Sequence, residues 1–123
     1  MSEQKSTLRE ITVGKKPSFK TEIVEYEGNE FEIREPSVFV RGQIMNKSGM
    51  GINTNADNPD INFSNAQIAS VIYCTYVPGT DERVFSEKDV PMLKEQPSGS
   101  FVDEFSTIAM RLMNRNAEDD AKN

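Results

Sequence analysis

Phe19-Lys20-Thr21-Glu22-Ile23-Val24-Glu25-Tyr26-Glu27-Gly28-Asn29-Glu30-Phe31-Glu32-Ile33-Arg34-Glu35 is the stretch whose reading decides the fold. Val24 and Tyr26 alternate with Glu25, and Phe31 and Ile33 alternate with Glu30, Glu32 and Arg34. That period of two places apolar side chains on one face of a strand. Gly28-Asn29 divides the two runs. A glycine at the first central position predicts a type II′ hairpin over 19–35, with Tyr26 opposite Phe31 and Val24 opposite Ile33 on one face.

On the N-terminal side, Thr7-Leu8-Arg9-Glu10 has the spacing of a capping box. Leu8, Ile11 and Val13 offer one short apolar face before Gly14 and Pro17 stop a helix. Residues 1–18 therefore read as an arm with a brief helical turn. On the other side, Pro36-Ser37 opens a helix over 38–47, in which Val40 and Ile44 stand four apart and Val38 and Met45 seven apart. Gly42 weakens it. Residues 48–62 are rich in Gly, Asn and Asp and read as a long polar loop.

Further along, Ser64 can cap a helix over 65–77 whose buried face is Ile68, Val71, Ile72, Thr75 and Tyr76, ended by Pro78-Gly79. A short helix follows. Either Ser86 caps it, with Phe85 stapling Val90, or Asp89 does, with Pro91 in the first turn; Pro91 favours the second because an interior proline removes a hydrogen bond. Ser100 then caps a last helix with Phe101, Phe105, Ile108, Ala109, Leu112 and Met113 on one stripe. Asp103 and Glu104 in its first turn and Arg111 near its end suit the helix dipole. Residues 115–123, with Glu118-Asp119-Asp120, read as a disordered acidic tail. The expectation is one α+β domain over 19–114, an N-terminal β-hairpin followed by a small bundle of about four helices.

Composition bounds the function. At 123 residues the chain holds one domain, since single cores organise roughly 100 to 150 residues. Leu, Ile, Val and Phe supply 28 residues, a little more than the roughly one-fifth below which chains tend to disorder. A formal charge of −6 opposes the phosphate neutralisation that nucleic-acid binding needs. No run of about 18 apolar residues suits a membrane span, and the opening residues lack the apolar core of a secretory signal. A single cysteine excludes an intramolecular disulfide and fits a reducing cytoplasm.

The chain contains no histidine, which removes the commonest general base, the commonest metal ligand and every Ser-His or Cys-His nucleophile pair. Gly49-Met50-Gly51 lacks the strand and lysine of a phosphate loop. Asp57, Asp60, Asp81 and Glu82 read as solvated turn carboxylates, and Cys74 as a small core hydrophobe. The expectation is a binding protein, not an enzyme, with no catalytic, metal or cofactor site. The apolar stripe of the last helix is either core or an adaptable docking surface, because flexible thioethers fit varied partners.

Val71-Ile72-Tyr73-Cys74-Thr75-Tyr76-Val77-Pro78-Gly79-Thr80-Asp81-Glu82-Arg83-Val84-Phe85, followed by a Pro97-Ser98-Gly99 turn, a Phe101-Val102-Asp103-Glu104 helix start and Leu112-Met113-Asn114, resembles the tail assembly chaperones of long-tailed bacteriophages and prophages. Leu8-Arg9-Glu10-Ile11 and Glu35-Pro36-Ser37 match the same pattern, whereas residues 48–62 stand outside it. The resemblance implies a factor of the bacterial host's cytoplasm that binds the helical tape measure protein and keeps it soluble until the tail tube forms. It leaves the tail tube protein and self-association open as further partners, and it implies neither nucleic acid nor membrane. It also implies a longer form made by ribosomal frameshifting, for which Ala121-Lys122-Asn123 permits a slippery codon run. The partner groove expected on this reading is lined by Ile44, Phe105, Met110 and Met113, with Met45 and Met50 beside the long loop. The competing reading is a small structural tail or head-tail joining protein, and an enzyme of unrecognised type comes third.

Overall fold

Alternation makes the hairpin, and its turn decides which residues meet. In the computed structural model, β1 (Thr21–Tyr26) and β2 (Asn29–Arg34) pair antiparallel, with Thr21 opposite Arg34, Val24 opposite Phe31 and Tyr26 opposite Asn29. The turn is Glu27-Gly28, one residue earlier than the glycine rule predicts. Glu27 has φ +52° and Gly28 φ +77°, the paired positive values of a type I′ turn, whose twist matches that of the strands. Asn29 Nδ2 donates to the Glu27 carbonyl at 3.1 Å. Each partner shifts by two residues, so Val24, Tyr26, Phe31 and Ile33 keep their common face while Ile33 meets Glu22 instead of Val24. Lys20 and Glu35 extend the ladder by a backbone bond of 2.8 Å.

The structure describes residues 2–46 and 59–122, with side-chain surroundings for 3–46 and 63–114. α1 (Ser2–Glu10) is longer than the expected turn. Thr7 lies inside it, its hydroxyl donating to the Glu3 carbonyl at 3.0 Å, so it does not cap. α2 (Val38–Asn46) follows Ser37, whose Oγ accepts the Val40 N–H at 3.1 Å as an N-cap should. α3 (Pro59–Cys74) begins within the span expected to be loop, with proline at its first position, where the missing N–H costs nothing.

α3 stops before Thr75. Thr75 and Tyr76, expected on a helical stripe, instead form β3 (Thr75–Tyr76), antiparallel to β2 with Thr75 opposite Ile33 and Tyr76 opposite Glu32. A β-branched and an aromatic residue suit a strand when a free sheet edge lies within reach. The chain then doubles back. Val77 N–H donates to Glu82 and Val84 N–H to Thr75, around a turn with Pro78 at its second position and Gly79 at its third, φ +74°. That is type II geometry, which asks for glycine there.

The turn begins at Ser86, and Asp89 makes no side-chain cap bond to the helix that follows. Asp89 closes a 3₁₀ turn (Glu87–Asp89) by accepting the Ser86 N–H at 2.8 Å, and α4 (Val90–Lys94) starts directly after it with Pro91 in the first turn. α5 (Phe101–Lys122) is capped by Ser100, whose Oγ accepts the Val102 N–H at 3.4 Å, while Asp103 accepts the Gly99 N–H at 2.6 Å. Its backbone runs on as helix through the span read as a tail.

The fold is α+β: a three-stranded antiparallel sheet in the order β1-β2-β3 and five α-helices among the described residues, four of them after the hairpin. α5 lies across β1 and β2, α3 packs on α5, and α2 on α3. Between sheet and α5 sits an aromatic cluster in which Phe105 meets Tyr26 at 6.2 Å, Phe31 at 5.1 Å and Phe101 at 5.6 Å, centroid to centroid. Phe85 stacks on Phe101 at 5.9 Å. Each such pair contributes about 0.5–1.5 kcal/mol beyond area burial. Where α3 meets α5, the buried Ala69, Ser70, Ser106 and Ala109 let the backbones approach, and Gln67 Nε2 reaches Ser106 Oγ at 3.4 Å.

Candidate functional site

The 77–84 turn is clamped to the outer face of the sheet. Glu32, 8% exposed, sits at its centre. Its carboxylate accepts Arg34 Nε at 3.1 Å, Arg34 Nη2 at 2.8 Å and the Gly79 N–H at 3.1 Å. Burial works to raise the Glu32 pKa, but these three bonds and the Arg34 charge outweigh it and hold the group below its usual 4.5. Arg34 also donates to the Thr80 carbonyl at 2.6 Å and to Asp81 at 3.0 Å, and lies over the Tyr76 ring at 3.9 Å. Arg83 covers Tyr73 at 4.7 Å from the next position along. Every group of this network is engaged with another, so it reads as a structural clasp on the 77–84 turn.

Cys74, at the end of α3, is fully buried, and burial pushes its thiol up to about 12 against the pull of Arg83. At neutral pH it is a protonated core side chain. Asp81 is spent on Arg34. Among the described residues no three His, Cys, Asp or Glu side chains converge as a metal site, and no helix is long and apolar enough to cross a membrane.

The expected partner groove does not form as a surface. Ile44 is fully buried, Phe105 is 1% exposed at the centre of the aromatic cluster, and Met113 lies in the same core. Met110 is half-buried against that core. The α5 stripe therefore belongs to the protein's own interior, because the sheet supplies the cover that a lone helix would have to find elsewhere. Met45 is half exposed. Met50 lies outside the described residues.

An apolar side does remain outside on α2. Its two sides are both apolar: Val40 and Ile44 face the core, while Val38 and Met45, seven apart and so on one stripe, are 78% and 50% exposed. Gly42 lies flush between them, where an added Cβ would meet nothing. Phe39, beside that stripe, is 74% exposed, and Phe63 in the early turns of α3 is also mostly exposed. The seven-residue spacing of Val38 and Met45 was readable in the sequence; Phe39 and Phe63 belong to no buried stripe, and that misfit was their only signal. A hollow of about 490 Å³ lies between Tyr73, Arg83, Phe85 and Lys88. No protein family, curated protein or solved structure shows significant similarity to this chain.

Proposed function

We propose that the chain is a tail assembly chaperone of a long-tailed bacteriophage or prophage, a non-enzymatic factor that binds the tape measure protein and keeps it soluble in the cytoplasm of the bacterial host. The observation that carries this reading is α2. A helix that buries Ile44, packs Val40 against the core and still leaves Val38, Phe39 and Met45 in water presents an apolar strip that a monomer gains nothing by exposing. An amphipathic helix of a long coiled partner can lay its own stripe along it. The net charge of −6 keeps the loaded complexes apart. The likeness of the Val71–Phe85 segment to that family supports the same reading, and the missing histidine favours binding over catalysis.

Co-expression with the large helical product of a neighbouring gene tests it. The wild-type chain should render that product soluble and co-purify with it, whereas Phe39→Asp combined with Met45→Asp should lose both effects with an unchanged circular dichroism spectrum. A partner that stays soluble with the double variant, or stays insoluble with the wild type, rejects the reading. Phe105→Asp is the wrong probe, since a charge in the aromatic cluster unfolds the domain.

A further inference from the structure

The first twenty residues and the fifteen after them carry opposite charge. Residues 1–20 hold Lys5, Arg9, Lys15, Lys16 and Lys20 against Glu3 and Glu10; residues 21–35 hold six glutamates against Arg34. The basic part is also apolar. Leu8 on α1 and Ile11 in the turn that continues it, its N–H donating to the Thr7 carbonyl at 3.1 Å, stand three apart on one stripe, 52% and 55% exposed, with Lys5 and Arg9 along its edge. The hollow on that side, about 400 Å³, is lined by Gln4, Lys5, Leu8, Arg9 and Thr12, all of the arm itself. A nine-residue helix is marginal alone in water, where isolated helices need about 12–15 residues. It gains stability only by laying its stripe on something.

The acidic part offers a matching face. On the outer side of the hairpin, Ile23 is 48% exposed. Next to it Glu25 stands directly opposite Glu30, a cross-strand pair of like charges that costs stability until a cation intervenes. Among the described residues neither Glu25 nor Glu30 has an ion-pair partner. β1 is also an edge strand.

We infer that the arm of one chain docks on the outer hairpin face of a second copy, with Leu8 and Ile11 against Ile23 and with Lys5 and Arg9 between Glu25 and Glu30. The inference is independent of tape measure binding. Because the charges are exposed, the association weakens as salt rises.

Sedimentation of the full chain across a concentration series tests this. The expected result is a mass above that of the monomer that grows with concentration and falls at high salt. Lys5→Glu with Arg9→Glu should return the chain to monomer, and so should Glu25→Lys with Glu30→Lys. Mixing these two double variants in equal amounts should restore the association, because each supplies the charge the other lost. Circular dichroism keeps folding separate from association, since both sites lie on the surface. A wild-type monomer at every concentration overturns the inference, including one whose arm folds back on its own hairpin. So does association that survives either double variant, or a mixture that stays monomeric.

Discussion

Thr75 is fully buried at the start of β3, and its hydroxyl has no hydrogen-bond partner among the described residues. A buried hydroxyl left unpaired loses its hydration without return. Thr75→Val keeps the β-branched shape and removes the orphan oxygen, so it should stabilise the domain by about 1 kcal/mol. Urea unfolding with an unchanged slope reads this; a loss of stability would mean that the hydroxyl is satisfied. The same residue shows how a stripe misleads. Thr75 does lie on an inward face, as its spacing from Ile68 and Ile72 suggests, but it arrives there through a sheet. Inward-facing residues were legible one by one: Val24, Ile33, Ile44, Ile68, Val71, Ile72, Phe105 and Leu112 all stand in the core. What burial they share with which neighbour was not.

At the scale of elements, the hairpin and the helices after Ser37 and Ser100 follow from local rules, because alternation, caps and turn residues act within a few positions. The turn does not follow so simply. Gly28 fits two registers, and the pair Glu27-Gly28 is selected although glutamate at φ +52° is strained. The gain is a twist that lets β1 and β2 wrap under α5. Asparagine tolerates that conformation better, so Glu27→Asn should stabilise the domain by roughly 0.5–1 kcal/mol and leave the fold unchanged. Thermal unfolding measures it, and a lower midpoint would contradict the type I′ assignment. The α3 start at Pro59 and the continuation of α5 to Lys122 were missed for a related reason. Polar, loop-like composition predicts no helix, yet helix propagation is cooperative and extends a packed helix beyond its apolar stripe.

At the scale of the molecule, Glu32 ties together parts of the chain 47 residues apart, through the Gly79 amide and through Arg34, which reaches Asp81. Its lowered pKa fixes the sign of the acid response. The ionised carboxylate is favoured in the folded state, so its contribution is complete above the unfolded value near 4.5 and is lost as pH falls through the lower folded value. Glu32→Gln should weaken the domain by about 1.5–3 kcal/mol at neutral pH, the worth of hydrogen bonds to a charged group. That gap between wild type and variant should close as pH falls well below 4.5. Urea midpoints across a pH series check this, and a gap independent of pH would show that Glu32 is not held ionised.

By itself the sequence determined the α+β class, the hairpin face, most helix positions and the weight of evidence against histidine-based chemistry, because those depend on spacing and composition within short windows. Only the tertiary structure decided which apolar faces are spent. Pattern leaves the α5 stripe open as core or docking surface and shows only short apolar spacings on α2, and nothing local says which side of either helix is covered. The sheet lies against α5 and consumes Phe105 and Met113, whereas α2 turns one side to the core and leaves Val38, Phe39 and Met45 outside. Burial is a property of pairs of surfaces, and a pairing between segments far apart in the chain is set by how they fit together in space.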